Sequence, residues 1–177
     1  MLRRTAPRSI YVAIVVFCFG LVAYALYLQH AEGLEPCPLC ILQRIAFIAT
    51  GSVALAGALS AAAARSRWLP IVMALPILGG LSAAARHVWL EHFPPKTTAC
   101  SPADLNYILE TVPLAEILPK IFRGSGDCSV VPWRFLGLSI AEWSLACLAV
   151  LLLAAAFLLI RSLRAAGDAT ARQWRRT

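Results

Sequence analysis

Glu35-Pro36-Cys37-Pro38-Leu39-Cys40-Ile41-Leu42-Gln43-Arg44 sets a Cys-x-x-Cys where a polar loop turns into a long apolar run. Two cysteines at this spacing can cycle between dithiol and disulfide, form half of a zinc site, or make a structural disulfide. Covalent haem attachment is excluded, because Ile41 stands where a His would be needed. Cys40 falls near the start of the following helix, where unpaired N–H groups and the helix dipole favour a thiolate. Pro36 and Pro38 bracket Cys37, fix φ on both sides and remove two backbone donors, so the motif enters the helix stiffly. Arg44 lies four residues beyond Cys40, on the same helix face and about 6 Å further along the axis. A cation just inside a bilayer is costly, and it points to function: here, to steadying a thiolate or an anion formed beside it. The plainer alternative is an arginine that snorkels to the headgroups as an anchor. Between the redox and metal readings, Arg44 one turn below the pair favours redox chemistry.

The elements that must position these residues are membrane helices. The chain has 177 residues, 60% of them apolar and 14% charged, with a mean hydropathy of +0.73. Soluble domains carry roughly 25% charge, so this is an integral membrane protein. The sequence predicts an all-α fold, a single membrane domain over 1–177 built as a bundle of four transmembrane helices at about 10–28, 41–63, 69–90 and 140–160. The first run is too long for a signal-peptide core and reads as a retained helix. Pro76 with Gly79-Gly80 predicts a kink in the third helix. Ser139 followed by Glu142 reads as a capping box that opens the fourth. Outer loops are expected over 29–40 and 91–139. The second is long and Pro-rich, and Leu114, Ile117, Leu118, Ile121 and Phe122 recur in it at helical spacing, so it either carries a short interfacial helix or covers the bundle top.

The net charge of +7 sets topology before it binds partners. The N-terminal tail, the 64–68 turn and the C-terminal tail hold Arg3, Arg4, Arg8, Arg65, Arg67, Arg161, Arg164, Arg172, Arg175 and Arg176. All three segments fall on one side of a four-helix chain. The first outer loop has no cation. The positive-inside rule therefore puts both termini in the cytoplasm and both loops outside, in the periplasm if the source is a bacterium. A nucleic-acid partner is not expected, since no basic face is interleaved with exposed aromatics. Cys37, Cys40, Cys100 and Cys128 fall in or beside polar segments. Cys18 and Cys147 fall inside apolar runs and read as packing residues. His30 and His92 read as exposed loop histidines.

These residues carry a resemblance. Pro36-Cys37-Pro38-Leu39-Cys40 with Gln43-Arg44, then Ser125-Gly126-Asp127-Cys128, then Trp133-Arg134-Phe135-Leu136-Gly137-Leu138-Ser139 leading to Glu142-Trp143, resemble the disulfide bond formation protein B (DsbB) family. That family consists of bacterial inner-membrane thiol:quinone oxidoreductases, and the resemblance covers nearly all of residues 10–160. It implies an electron path. A periplasmic dithiol oxidase of the DsbA type attacks a Cys100–Cys128 disulfide at Cys100, and thiol–disulfide exchange carries the electrons to Cys37–Cys40. Two electrons then pass to a membrane quinone, ubiquinone or menaquinone. Cys40 is expected to face the quinone ring, Arg44 to favour its negative charge, and His87 to lie nearby as a second cofactor-binding residue. Glu91 departs from the Gln expected near that position. A quinone is a fitting acceptor, because oxidising a strongly oxidising partner is uphill and 30 mV is already about 1.4 kcal/mol for two electrons.

The alternative from another class is a non-catalytic zinc-binding membrane scaffold using the four outer cysteines. Against it, the chain has one Cys-x-x-Cys rather than two, and Cys100 and Cys128 are about 28 residues apart. A reductase running electrons outward would need a source on the inner side, and the inner segments hold no Cys. The topology is directly testable. After reduction, a membrane-impermeant maleimide added from outside should label Cys37 or Cys100; labelling from the inner side alone would overturn both the topology and the electron path.

Overall fold

The computed structural model describes the backbone of residues 7–33, 36–93 and 133–174, and the side chains of all of these but 7 and 168–174. Four helices in it are long and apolar enough to cross a membrane, as expected. They are α1 (Pro7–Ala31), α2 (Pro38–Leu59), α4 (Trp68–His92) and α5 (Ile140–Trp174), with a short α3 (Ala61–Arg65) between the second and third spans. A two-stranded antiparallel hairpin, β1 (Arg134–Phe135) and β2 (Leu138–Ser139), leads directly into α5. The expected outer turns over 113–122 lie outside the described residues, as do Cys100 and Cys128.

Several helices run past the limits read from the apolar stretches, and one stops short. The predicted helix over 41–63 is divided at Ser60, which takes an extended backbone (φ −116°, ψ 122°). Its N–H still bonds the Ala56 carbonyl, closing α2, while its hydroxyl accepts from the Ala63 N–H, opening α3. A serine offers the backbone this alternative to continued helix. At the other end, α2 begins at Pro38, three residues before the apolar run, with Cys37 as its N-cap. α4 runs through Pro76 as one helix. α5 continues well beyond residue 160, because Arg161 to Ala166 are good helix formers.

Along the bundle α1 packs on α2, α2 on α4, and α4 on α5. The buried core joins Tyr11 and Cys18 of α1, Phe47 of α2, Met73 and Ile77 of α4, and Leu148 of α5. Large apolar residues such as Val16, Leu75 and Leu153 point outward, as lipid-facing positions do. In lipid, helices associate through close packing, which small residues at the crossings permit. Gly80 is the tightest such contact. A Cβ there would lie 2.6 Å from the Cβ of Ala46 on α2 and 3.2 Å from the Leu148 side chain on α5. Gly79 next to it meets nothing within 4 Å.

This contrast gives a prediction. Gly80→Ala must push α2 and α4 apart, since the opposing methyl sits directly on backbone, and should cost about 1–3 kcal/mol as overpacking does. Gly79→Ala should leave stability unchanged or slightly raised. Thermal melts of the two purified variants in one detergent check this, and equal midpoints would refute the crossing geometry.

Candidate active site

The Cys-x-x-Cys is held by its own local structure. Cys37 takes an extended backbone (φ −68°, ψ 162°) and caps α2, its Sγ accepting from the Cys40 N–H at 3.3 Å. Pro38 at the first helical position loses nothing by lacking an N–H. Leu39, between the cysteines, is fully buried against Ala83 and Leu90 of α4. The motif is therefore pinned to the third span, and the Cys37 and Cys40 Sγ atoms lie 2.8 Å apart.

The residue that α4 presents to them is His87. Its Nε2 is 3.7 Å from the Cys37 Sγ and its Nδ1 3.9 Å from the Cys40 Sγ. Gln43, one turn below Cys40, is buried with its Nε2 3.3 Å from His87 Nδ1. On the other flank Glu91, one turn along α4, places Oε1 3.7 Å from His87 Nε2. Both side chains are less than a tenth exposed. Glu91 is anchored in turn, because the Ser139 hydroxyl donates to its Oε2 at 2.6 Å. That same hydroxyl accepts from the Glu142 N–H at 3.1 Å, while the Glu142 carboxylate accepts from the Ser139 N–H at 2.8 Å. The capping box read from the sequence is thus present, and it reaches across the bundle to the cysteine site.

Arg44 directs its hydrogen bonds to α1 and makes none to Cys40. Its Nη1 donates to Gln29 Oε1 at 2.5 Å and its Nη2 to the Ala25 carbonyl at 3.2 Å, both on α1. The guanidinium is half-buried and bonded within the bundle, unlike a side chain reaching for headgroups. The two exposed histidines also differ from expectation. His30 and His92 stand in the last turns of α1 and α4, each with Nδ1 on the carbonyl four residues back, where helix ends leave acceptors open.

These groups surround a cavity of about 560 Å³ between α1, α2, α4, the hairpin and α5. Cys37, Cys40, Arg44, His87 and Glu91 all line it, and most of the remaining wall is apolar. An aromatic rim closes one side. Trp133 and Phe135 stack with centroids 5.8 Å apart, and Trp143 Nε1 donates to the Phe135 carbonyl at 3.0 Å. The turn holding Phe135 uses φ 53° at Leu136 and 83° at Gly137, the left-handed pair that suits a tight hairpin. Sequence reasoning missed Gln43 as a contact, although it lies three residues from Cys40 on the same face. It also missed Gln29, Ser139 as a partner of Glu91, and the hairpin.

Four spans and a cysteine pair facing an apolar cavity inside the bundle are the parts that a membrane oxidoreductase forming disulfides requires. The sequence profile of the family "Disulfide bond formation protein DsbB" matches residues 7–158. Curated relatives named disulfide bond formation protein B include one from Aromatoleum aromaticum, 45% identical over 88% of this chain and 94% of its own. Another from Azoarcus sp. is 48% identical over 78% and 83%, and one from Acidovorax sp. is 43% identical over 95% and 96%. The chain belongs to the DsbB family. This favours disulfide chemistry over the zinc scaffold.

Cys18 is fully buried in the core, whereas Cys147 is half-buried and reaches the cavity wall. Both are read as packing residues. The double variant Cys18→Ala/Cys147→Ala should keep disulfide-forming activity within about twofold of wild type, a shift of under 1 kcal/mol. Loss of activity in the folded double variant would mark Cys147 as part of the chemistry.

Proposed function

We propose that the protein reoxidises a periplasmic thiol oxidase of the DsbA type and delivers the two electrons to a membrane quinone. The observation that carries this reading is the cavity, which brings a cysteine pair, a histidine and an arginine to an apolar space inside a membrane bundle. Its volume falls within the roughly 300–1,000 Å³ of small-molecule sites. Its apolar wall, aromatic rim and few polar groups suit a planar apolar ring bearing polar oxygens. Arg44, His87 and Cys40 would hold such a quinone. When bound, the quinone would supply a two-electron acceptor.

The chain's own residues do the rest. Cys100 receives the partner's thiolate, and exchange through Cys128 passes the reducing equivalents to Cys37 and Cys40; neither outer cysteine is among the described residues. The N-cap geometry holds Cys37 and Cys40 close enough for the disulfide to open and re-form with small side-chain movement. His87 contacts both sulfurs and can take up or return a thiol proton. Arg44, tied to α1 through two of its five N–H donors, presents a fixed positive charge in a low-dielectric cavity. A fixed arginine keeps that charge where a lysine could lose it. The positive-inside pattern supports cytoplasmic termini and an outward-facing site in the inner membrane.

The test is quinone reduction by purified protein supplied with a reduced DsbA-type partner. Quinone loss should match partner disulfide formed, mole for mole. Arg44→Met should raise the apparent quinone KM or lower kcat by about tenfold or more, equivalent to about 1.4 kcal/mol or more, with helix content and cysteine oxidation preserved. Unchanged quinone kinetics would remove Arg44 from the site, and partner oxidation without quinone consumption would overturn the acceptor.

A further inference from the structure

Three groups that bind thiophilic metal ions converge beside the cavity. The ligand atoms of Cys37, Cys40 and His87 all lie within 4.8 Å of one another. A tetrahedral zinc site, with Zn–S of about 2.3 Å and Zn–N of about 2.0–2.1 Å, sets sulfur–nitrogen separations near 3.6 Å and sulfur–sulfur near 3.8 Å. The sulfurs approach different ring nitrogens, Cys37 Sγ at 3.7 Å from Nε2 and Cys40 Sγ at 3.9 Å from Nδ1, so a site built on Nδ1 also needs Cys37 Sγ to move towards that nitrogen. The sulfurs are 2.8 Å apart and need to separate by about 1 Å. Cys37 can supply that, because as the N-cap it stands at the edge of α2 and not within it. In the disulfide the sulfurs are bonded at about 2.05 Å and offer no thiolate.

We propose that the reduced Cys37–Cys40 pair and His87 form a binding site for a thiophilic divalent cation of the zinc class, and that the bound ion holds the pair reduced. The inference rests on the reading of Cys37–Cys40 as a pair that cycles. No electron moves in the binding step. Two thiols release two protons, and a neutral imidazole and two thiolates bind one divalent ion. The resulting core is electrically neutral, which suits a low-dielectric site better than free thiolates would. The fourth position faces the cavity and is left for water. Glu91 lies on the Nε2 side of His87, so Nδ1 takes the metal and Gln43, now 3.3 Å from it, turns aside. A carboxylate behind a ligating histidine is the usual support of such a site, and Ser139 fixes this one. Arg44, the nearby cation, is held towards α1 by Gln29 and the Ala25 carbonyl. A thiolate committed to the metal cannot re-form the disulfide, so turnover halts at the reduced stage.

The test uses Co²⁺ as probe on the full-length protein in detergent, reduced with a phosphine and kept free of oxygen. Reduced protein should take up one equivalent, with the visible and near-ultraviolet bands of a tetrahedral thiolate site. Zn²⁺ should abolish the bands by displacement. The bands should survive in Cys100→Ser/Cys128→Ser and be absent from the oxidised protein and from Cys37→Ser. Glu91→Gln should weaken binding by about ten- to a hundredfold, and His87→Gln by more. Equal uptake by oxidised protein, loss of the bands with the outer cysteines, or indifference to His87→Gln would each overturn the proposal. Uptake is read without quinone or partner, so its failure is separate from a failure of the electron path.

Discussion

A carboxylate inside an apolar bundle must be given partners, and much of this structure follows from how Glu91 gets them. Burying an unpaired charge costs several kcal/mol. Here the side chain is 7% exposed, and its neighbours are the Ser139 hydroxyl and the His87 ring. Ser139 is also the cap of α5, so the register in which that helix starts is tied to α4. His87 faces the cysteine pair, so the register of α4 is tied to α2. Among the described residues no buried polar side-chain atom is left without a hydrogen-bond partner. Polar groups at the cavity wall are thus among those that fix how three spans meet.

Close packing does the complementary work below the site. Gly80 brings α4 onto Ala46 of α2 with no room for a methyl group. That contact, together with Leu39 wedged against Ala83 and Leu90, sets the separation between the cysteines and His87. Arg44 bonding to Gln29 and Ala25 holds α1 to the same cluster from the opposite side. The cavity is what remains between helices held apart by specific side chains.

The local features were legible in the sequence because their causes are local. Four apolar runs of spanning length, a Ser-x-x-Glu before the last, and a Cys-x-x-Cys at a helix start all act within a few residues. The contacts that build the site do not. Glu91 and Ser139 are 48 residues apart, and Arg44 and Gln29 are 15 apart. Nothing in the pattern around Glu91 marks its partner. His87 entered through family resemblance, carried over on loop spacing and not on a motif of its own. The hairpin was missed because its turn is Leu136-Gly137, without the Asn or Asp that usually announces left-handed backbone. The division at Ser60 was missed because one serine in an Ala-rich run looks like helix.

The sulfur cap on α2 has a consequence of its own. On the proposed reading, the Cys37 sulfur is at once a redox atom and the acceptor that satisfies the Cys40 N–H. Helix start and oxidation state therefore share one atom, and they are thermodynamically linked. Whatever firms the first turn of α2, from a lipid headgroup to a change at Leu39, also biases the exchange between dithiol and disulfide, and the bias runs equally in the other direction.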